Sequence, residues 1–280
     1  MEIKSILSAF ADEASKNLDE QIEALKANNM DKIEIRSIDQ VNISNISIED
    51  MKEIAKKLEA NGIKVSSMGA SIGKVDIASD LDDEIARLHD MIAKAKIFGT
   101  DKIRMFSFRG VDESPECEEE VLKRLNIFSE IAHEEGILLC HENEKGVFGD
   151  IISRCLTLAT KVKHLRLVFD PANFMECGVN SMEAWEVLKP YVEYLHIKDC
   201  NADKVVVPAG EGVGCVKEIL ADYLSTAKNP LISVEPHLKS FIGLYDINRG
   251  GDREIVADRF SSDREAFDTA IEAAKSIYNG

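Results

Sequence analysis

Four side chains of metal-ligating type stand where four successive apolar runs of the sequence end. Glu142 closes "GILLCHE" (136–142), Asp170 closes "LRLVFD" (165–170), His196 lies in "EYLHIKD" (193–199) and Glu235 closes "PLISVE" (230–235). Three carboxylates and an imidazole brought to one place repel one another unless a cation neutralises them, and a divalent metal ion supplies that charge. The donors are mostly hard oxygen with one nitrogen and no thiolate. Such a set suits Mn²⁺ first, then Mg²⁺ or Co²⁺, with Zn²⁺ also accommodated, and it leaves coordination positions free for substrate. Any one of these residues has a plainer explanation, because charged groups often follow a buried strand where the chain meets water. Four in succession are harder to obtain that way.

The elements that must position them alternate along the whole chain. β-rich runs occur at 3–10, 31–37, 63–69, 101–108, 136–142, 165–170, 193–199 and 230–235, with helical spacing between them. Leu81, Ile85, Leu88, Ile92 and Ala95 advance by fours and threes, as do Phe267, Ala270, Ile271 and Ala274, which is the period of one helix face. Gly62, Gly99 and Gly136 fall between a helical stretch and the next strand, where a left-handed cap is favoured. Eight strand-then-helix units predict an α/β fold, a closed (β/α)8 TIM barrel, for which ~250 residues is typical. The ends of its strands converge on one mouth, which is where the four candidate ligands would meet. A doubly wound open sheet uses the same alternation, but "SILSAFADEAS" after the first strand carries no G-x-G-x-x-G phosphate loop. No linker or shift in composition divides the chain, so residues 1–280 are read as one domain. The irregular stretch 236–262 is long for a connection in a barrel, which points equally to a functional loop and to a mobile insertion.

The formal net charge of -17 argues against nucleic acid and anionic membrane as partners. "MEIKSILSAF" has neither the basic nor the apolar region of a signal peptide, and no run approaches bilayer length. The expectation is a cytoplasmic protein; self-association into a homo-oligomer is compatible with it. The six cysteines (117, 140, 155, 177, 200, 215) are scattered, as reduced, mostly buried thiols are.

"HENEKGVFGD", "VFDPANF", "HIKD", "PAGEGVG" and "SVEPH", in this order, resemble the sugar phosphate isomerase/epimerase family with its xylose isomerase-like barrel. "SAFADEAS", "IEIRSID", "ASIGKVDI" and "IRMFSF" fit it too, so the resemblance covers nearly the whole chain. It implies that Glu142, Asp170, His196 and Glu235 bind the metal and that Glu142 and Glu235 are the catalytic pair. The implied reaction is an aldose–ketose shift or an epimerisation of a small-molecule carbohydrate through a metal-stabilised enediolate, one glutamate removing the proton and the other returning it. Two positions depart from the ketose 3-epimerases of that superfamily. Asn173 stands where a His often follows the Asp, and Lys198 where an Arg often follows the His, so the substrate does not carry over.

Strand alternation points Lys198 to the side of His196, and His237 to the side of Glu235. Each can bind substrate or pair with the nearby carboxylates. Asn173 can orient a ligand or cap the turn after Pro171. His141 should turn away from Glu142 into a supporting role, and Glu144 can support the site from behind or simply face water, which fits it better. "GEGVG" (210–214) could cradle a phosphate, although a flexible turn fits it better. His89, His133 and His164 are expected to be structural. Three other functions were weighed. A sugar or inosose dehydratase uses the same metal site. An endonuclease IV-like phosphodiesterase needs further histidines, where strands 2 to 4 offer "IRS", "SMG" and "FSF". A non-catalytic carbohydrate-binding protein would have no need of the intact ligand set.

Overall fold

The computed structural model describes residues 2–240, 255–256 and 259–280. Eight strands form its central sheet: β1 (Leu7–Ala9), β2 (Lys32–Ile35), β3 (Lys64–Gly69), β4 (Lys102–Met105), β5 (Leu138–Glu142), β6 (Arg166–Phe169), β7 (Val192–Ile197) and β8 (Ile232–Val234). Each lies within one of the eight runs expected to form strands, with two adjustments: β7 starts one residue before its run, at Val192, and Ile3–Ser5 is a 3-10 turn that leads into β1. From β2 to β8 each strand pairs in parallel with the next, and β8 pairs with β1. β1 and β2 lie against each other without a ladder pair among the described residues, so the ring is nearly closed.

The helices are α1 (Leu18–Ala27), α2 (Ile48–Ala60), α3 (Leu81–Phe98), α4 (Pro115–Glu134), α5 (Ile152–Lys161), α6 (Pro171–Glu176), α7 (Ser181–Leu188), α8 (Val216–Thr226) and α9 (Asp263–Asn279). α3 shows why the sequence forms them. Asp80 accepts hydrogen bonds from the backbone N–H groups of Asp82 and Asp83, acids fill the first turn, and Gly99 ends the helix at φ +67°. Its Leu88, Met91, Ile92 and Ala95 are buried, and each of the larger three contributes roughly 1.5–3 kcal/mol by leaving water. In α9, Phe267, Ala270, Ile271 and Ala274 are buried as their spacing predicts. Among the described residues, no helix is long and apolar enough to cross a membrane.

Most of the apolar core lies between strands and helices. A smaller cluster of Cys140, Val168 and Tyr194, with Leu138 and Leu231 against it, fills the lumen. Successive inward side chains on a strand are two residues apart, so Cys140, Val168 and Tyr194 are followed by Glu142, Asp170 and His196 one layer nearer the mouth. The alternation that packs the floor therefore also aims the candidate ligands.

Two short sheets sit beside the mouth. Ser37–Ile38 pairs antiparallel with Val41–Asn42. Asp199–Cys200 pairs antiparallel with Val205–Val207, which in turn pairs in parallel with Ile255–Val256. Most of the long connection expected at 236–262, residues 241–254 and 257–258, lies outside the described residues.

Candidate metal centre at the barrel mouth

Glu142, Asp170, His196 and Glu235 meet as the alternation predicts. One ligand atom from each lies within 4.8 Å of all the others, and all four side chains are buried. His196 Nδ1 is 2.9 Å from Glu142 Oε1 and 4.0 Å from Glu235 Oε2, so this nitrogen faces the cluster. Asp170 divides its oxygens. Oδ1 caps α6 by accepting from the Asn173 N–H at 2.9 Å, while Oδ2 makes no hydrogen bond and lies 3.2 Å from Lys198 Nζ.

Part of the balancing charge comes from the chain itself, from Lys198 as one of its two expected roles and from two arginines that the strand-end pattern does not reveal. Arg36 donates to Asp12, Glu13 and Glu235 Oε1, the last at 3.0 Å. Arg104 Nε lies 3.2 Å from Glu142 Oε2, and Lys198 donates to Glu235 Oε2 at 2.9 Å. Even so, Asp12, Glu13, Glu142, Asp170 and Glu235 share the mouth with Arg36, Arg104 and Lys198, and Glu34 lies one layer below, so negative charge stays in excess.

Acid–base behaviour follows from that excess. Burial works against ionisation of Glu142, but His196 and Arg104 pull it down to about 2. Burial likewise opposes ionisation of Glu235, yet His237 and Lys198 hold it well below the usual carboxylate range. Burial pushes Asp170 up to about 7 against the pull of Lys198, and it does the same to Glu13 against His237 and Arg36. His196 goes up to about 10 because Glu142 and Glu34 outweigh the burial that lowers it. Without a bound cation these groups coexist by taking up protons. A buried set of three carboxylate oxygens and an imidazole nitrogen with that tendency fits a divalent ion.

Several neighbours resolve the remaining expectations. Lys198 pairs with Asp170 and Glu235 at the centre of the cluster. His237 Nε2 lies 3.3 Å from both Glu13 Oε1 and Glu235 Oε1. Asn173 donates to Glu142 Oε1 at 3.3 Å and to the Asn143 carbonyl, and the cap after Pro171 belongs to Asp170. His141 turns outward as expected, 2.8 Å from Ser107 Oγ, and Gly149 packs so close to its ring that a Cβ there would lie 2.2 Å from Cε1. Glu144 does not simply face water: it pairs with Lys74, whose ammonium sits 4.4 Å above the Phe106 ring.

"GEGVG" is neither a phosphate cradle nor a loose turn. The Asp199 carboxylate accepts the N–H groups of Gly210, Gly212 and Gly214 at 2.9–3.1 Å. A Cβ on Gly212 would lie 2.2 Å from Asp199 Oδ1, so the chain approaches closely because glycine stands there. His133 and His164 stack on each other at 3.7 Å, outside this cluster.

The sequence reading missed Asp12, Glu13, Glu34, Arg36, Lys74 and Arg104. A usable signal lay in "KIEIRS", where Glu34 and Arg36 are two residues apart in a run that is otherwise strand-like, so both share one face. Instead of the histidines a multi-metal phosphodiesterase requires, the early strands bring arginine. A second group of metal-ligand type, Glu13, Glu235 and His237, is met by the Arg36 guanidinium at both glutamates.

Comparison with known proteins agrees with this fold. Residues 22–241 match a family described as the xylose isomerase-like TIM barrel. No curated protein matches the sequence. Among solved structures, the probable 3-DHS dehydratase AsbF of Bacillus anthracis superposes with a TM-score of 0.74 at 14% identity, over 96% of this chain and 98% of that one. The IOLI protein, solved with a zinc atom bound, gives 0.72 at 17% identity over 97% of each chain. L-ribulose 3-epimerase gives 0.72 at 16% identity, over 98% of this chain and 96% of that one. At such identities these likenesses describe the fold, while the family match spans most of the sequence. The chain belongs to the xylose isomerase-like TIM-barrel family.

Proposed function

We propose that this protein, acting as one domain over residues 1–280, is a divalent-metal-dependent isomerase or epimerase of a small carbohydrate or its phosphate. The observation that carries the reading is the buried convergence of Glu142, Asp170, His196 and Glu235, which would hold the ion, Mn²⁺ before Mg²⁺, Co²⁺ or Zn²⁺. Bound there, such an ion supplies Lewis acidity and a template for a carbonyl and its neighbouring hydroxyl.

The chain's own residues supply proton transfer and orientation. Glu142, on β5, and Glu235, just past β8, both approach His196 Nδ1 from different strands, and one would remove a proton from a substrate carbon while the other returns it. Both are held ionised by their partners, as acceptors of a proton must be. Asn173 orients Glu142, and His237 does the same for Glu235. Through the same contacts Asn173 and His237 border the substrate's place. Lys198 presents an ammonium where negative charge would develop on substrate oxygen.

Lys198 also favours a second reading, dehydration of a sugar or inosose. An ammonium beside both Asp170 and Glu235 could protonate a departing hydroxyl once the α-proton has been removed. One experiment separates the readings. The protein is incubated with Mn²⁺ in D₂O and a panel of ketoses, aldoses, inososes and their phosphates. Deuterium incorporation beside a carbonyl with the carbon skeleton and hydroxyls retained supports isomerisation or epimerisation, and loss of water supports the dehydratase. Glu142→Gln and Glu235→Gln should each abolish turnover and weaken Mn²⁺ binding while the circular dichroism spectrum stays unchanged. Full activity in either variant removes the assignment.

A further inference from the structure

Glu34 is a buried carboxylate on β2 that none of the ligand arguments requires. It is 1% exposed, in the barrel lumen, one layer below the mouth. Burying a carboxylate costs several kcal/mol unless it is satisfied, and both oxygens of Glu34 are. Oε1 accepts from the Tyr194 hydroxyl at 2.8 Å, and Oε2 lies 3.2 Å from His196 Nε2. An ionised carboxylate only accepts, so Tyr194 donates to Glu34 and the Ser67 hydroxyl, 3.2 Å away, donates to Tyr194. By the same logic the proton of a neutral His196 must sit on Nε2, which leaves the Nδ1 lone pair facing Glu142 and Glu235. The ring has little freedom to turn, because Phe10 packs edge-on at 5.3 Å and Tyr194 at 5.6 Å.

We propose that Glu34, backed by Tyr194 and Ser67, is the positioning residue that fixes the tautomer and ring plane of His196, so that Nδ1 is presented to the Glu142–Asp170–Glu235 cluster. The role rests on the metal reading above but assigns a residue outside the ligand set. It gives the polar string in the lumen a purpose: Ser67 donates to Tyr194 and Tyr194 to Glu34, while His196 donates from the other side, so both lines of donors converge on the Glu34 carboxylate. Carboxylates in this relation to a ligating imidazole typically account for 10–100-fold in metal affinity.

Metal affinity and ligand geometry test the role without recourse to turnover. Metal-free wild type, Glu34→Gln, Tyr194→Phe and Glu142→Gln are titrated with Co²⁺ by calorimetry, and the visible absorption of each complex is recorded. Glu34→Gln should bind Co²⁺ about 10–100-fold more weakly, with an altered spectrum. Tyr194→Phe should show a smaller loss in the same direction. A residue that merely filled space would change the melting temperature of the metal-free protein and leave affinity and spectrum alone; that result overturns the role. If Glu34→Gln does not fold, Tyr194→Phe decides, and unchanged affinity there overturns it. Wild type that binds Co²⁺ while Glu142→Gln does not, with Glu34→Gln equal to wild type, removes this role alone. Wild type that binds no Co²⁺ removes the metal reading and this role together.

Discussion

The two halves of the barrel mouth do different work. From β5 to the end of β8 the chain presents Glu142, Asp170, His196 and Glu235, the atoms that could hold an ion. From β1 to β4 it presents Arg36 and Arg104, which reach across and pair with Glu235 and Glu142. Glu142 takes Arg104 and Glu235 takes Arg36 as well as Lys198, whereas Asp170 takes Lys198, from its own half. Asp170 is also the ligand carboxylate that burial succeeds in pushing up, to about 7. A ligand set is thus not defined by the ligands alone. His196, His237 and Lys198, with Arg104 from the opposite wall, set which of these carboxylates carry charge.

Removing the guanidinium of the supporting half is the most severe way to break this arrangement. Arg36→Met leaves Asp12, Glu13 and Glu235 buried without their shared cation. Breaking a buried pair from one side costs roughly 3–5 kcal/mol, because the abandoned charge has no water to return to. We expect the midpoint of urea unfolding to fall accordingly and the melting temperature to drop by roughly 10 °C. A loss no larger than that of a surface pair, below roughly 1 kcal/mol, would show that the two halves are not electrostatically coupled.

The same division explains what could be read from sequence. The eight strands were legible because each is a short apolar run bounded by turns, and the four candidate ligands because a carboxylate or imidazole ended each of the last four. Arg36 and Arg104 were not. An arginine inside a strand gives no sign of whether it faces the lumen or water until the register is known, and a shift of one residue would reverse the answer. Glu13 lies in a 3-10 turn, Ala11–Glu13, with no strand pattern to aim it, and it reaches the site because the chain folds back over the mouth. Glu144 looked like a solvent-facing charge because Lys74, its partner, is 70 positions away in sequence and meets it only through the barrel.

Asp199 sharpens the contrast from the other side, since it ends the same strand region that supplies His196. Where Asp170 keeps one oxygen unbonded, Asp199 gives both to backbone amides: Oδ2 to Gly210 and Gly212, Oδ1 to Gly214 and Cys200. Asp199→Asn replaces one acceptor oxygen with a donor that faces amide donors. The loss should be about 2 kcal/mol, the scale of a hydrogen bond to a charged group. Amide hydrogen exchange should localise it, with protection lost at Gly210, Gly212 and Gly214 and kept in β7. Protection retained at the three glycines would mean that the loop holds its shape without the carboxylate.

The smallest effect concerns two neighbours on one strand. Glu142 faces the mouth, where partners keep it charged, while His141 faces the helices, where burial drives its pKa down to about 4. An unfolded histidine titrates near 6.5. Between those values the unfolded chain binds more protons than the folded one, so stability rises with pH there and is lost as pH falls from about 6.5 towards 4. The part lost between pH 7.5 and pH 5 should be roughly 2 kcal/mol, and His141→Asn should lack it. The stability gap between wild type and His141→Asn, measured by urea unfolding, should therefore narrow by that amount as pH falls. A gap independent of pH would mean that His141 titrates in the fold as it does in the unfolded chain, and that the two faces of β5 do not differ in charge as their burial requires.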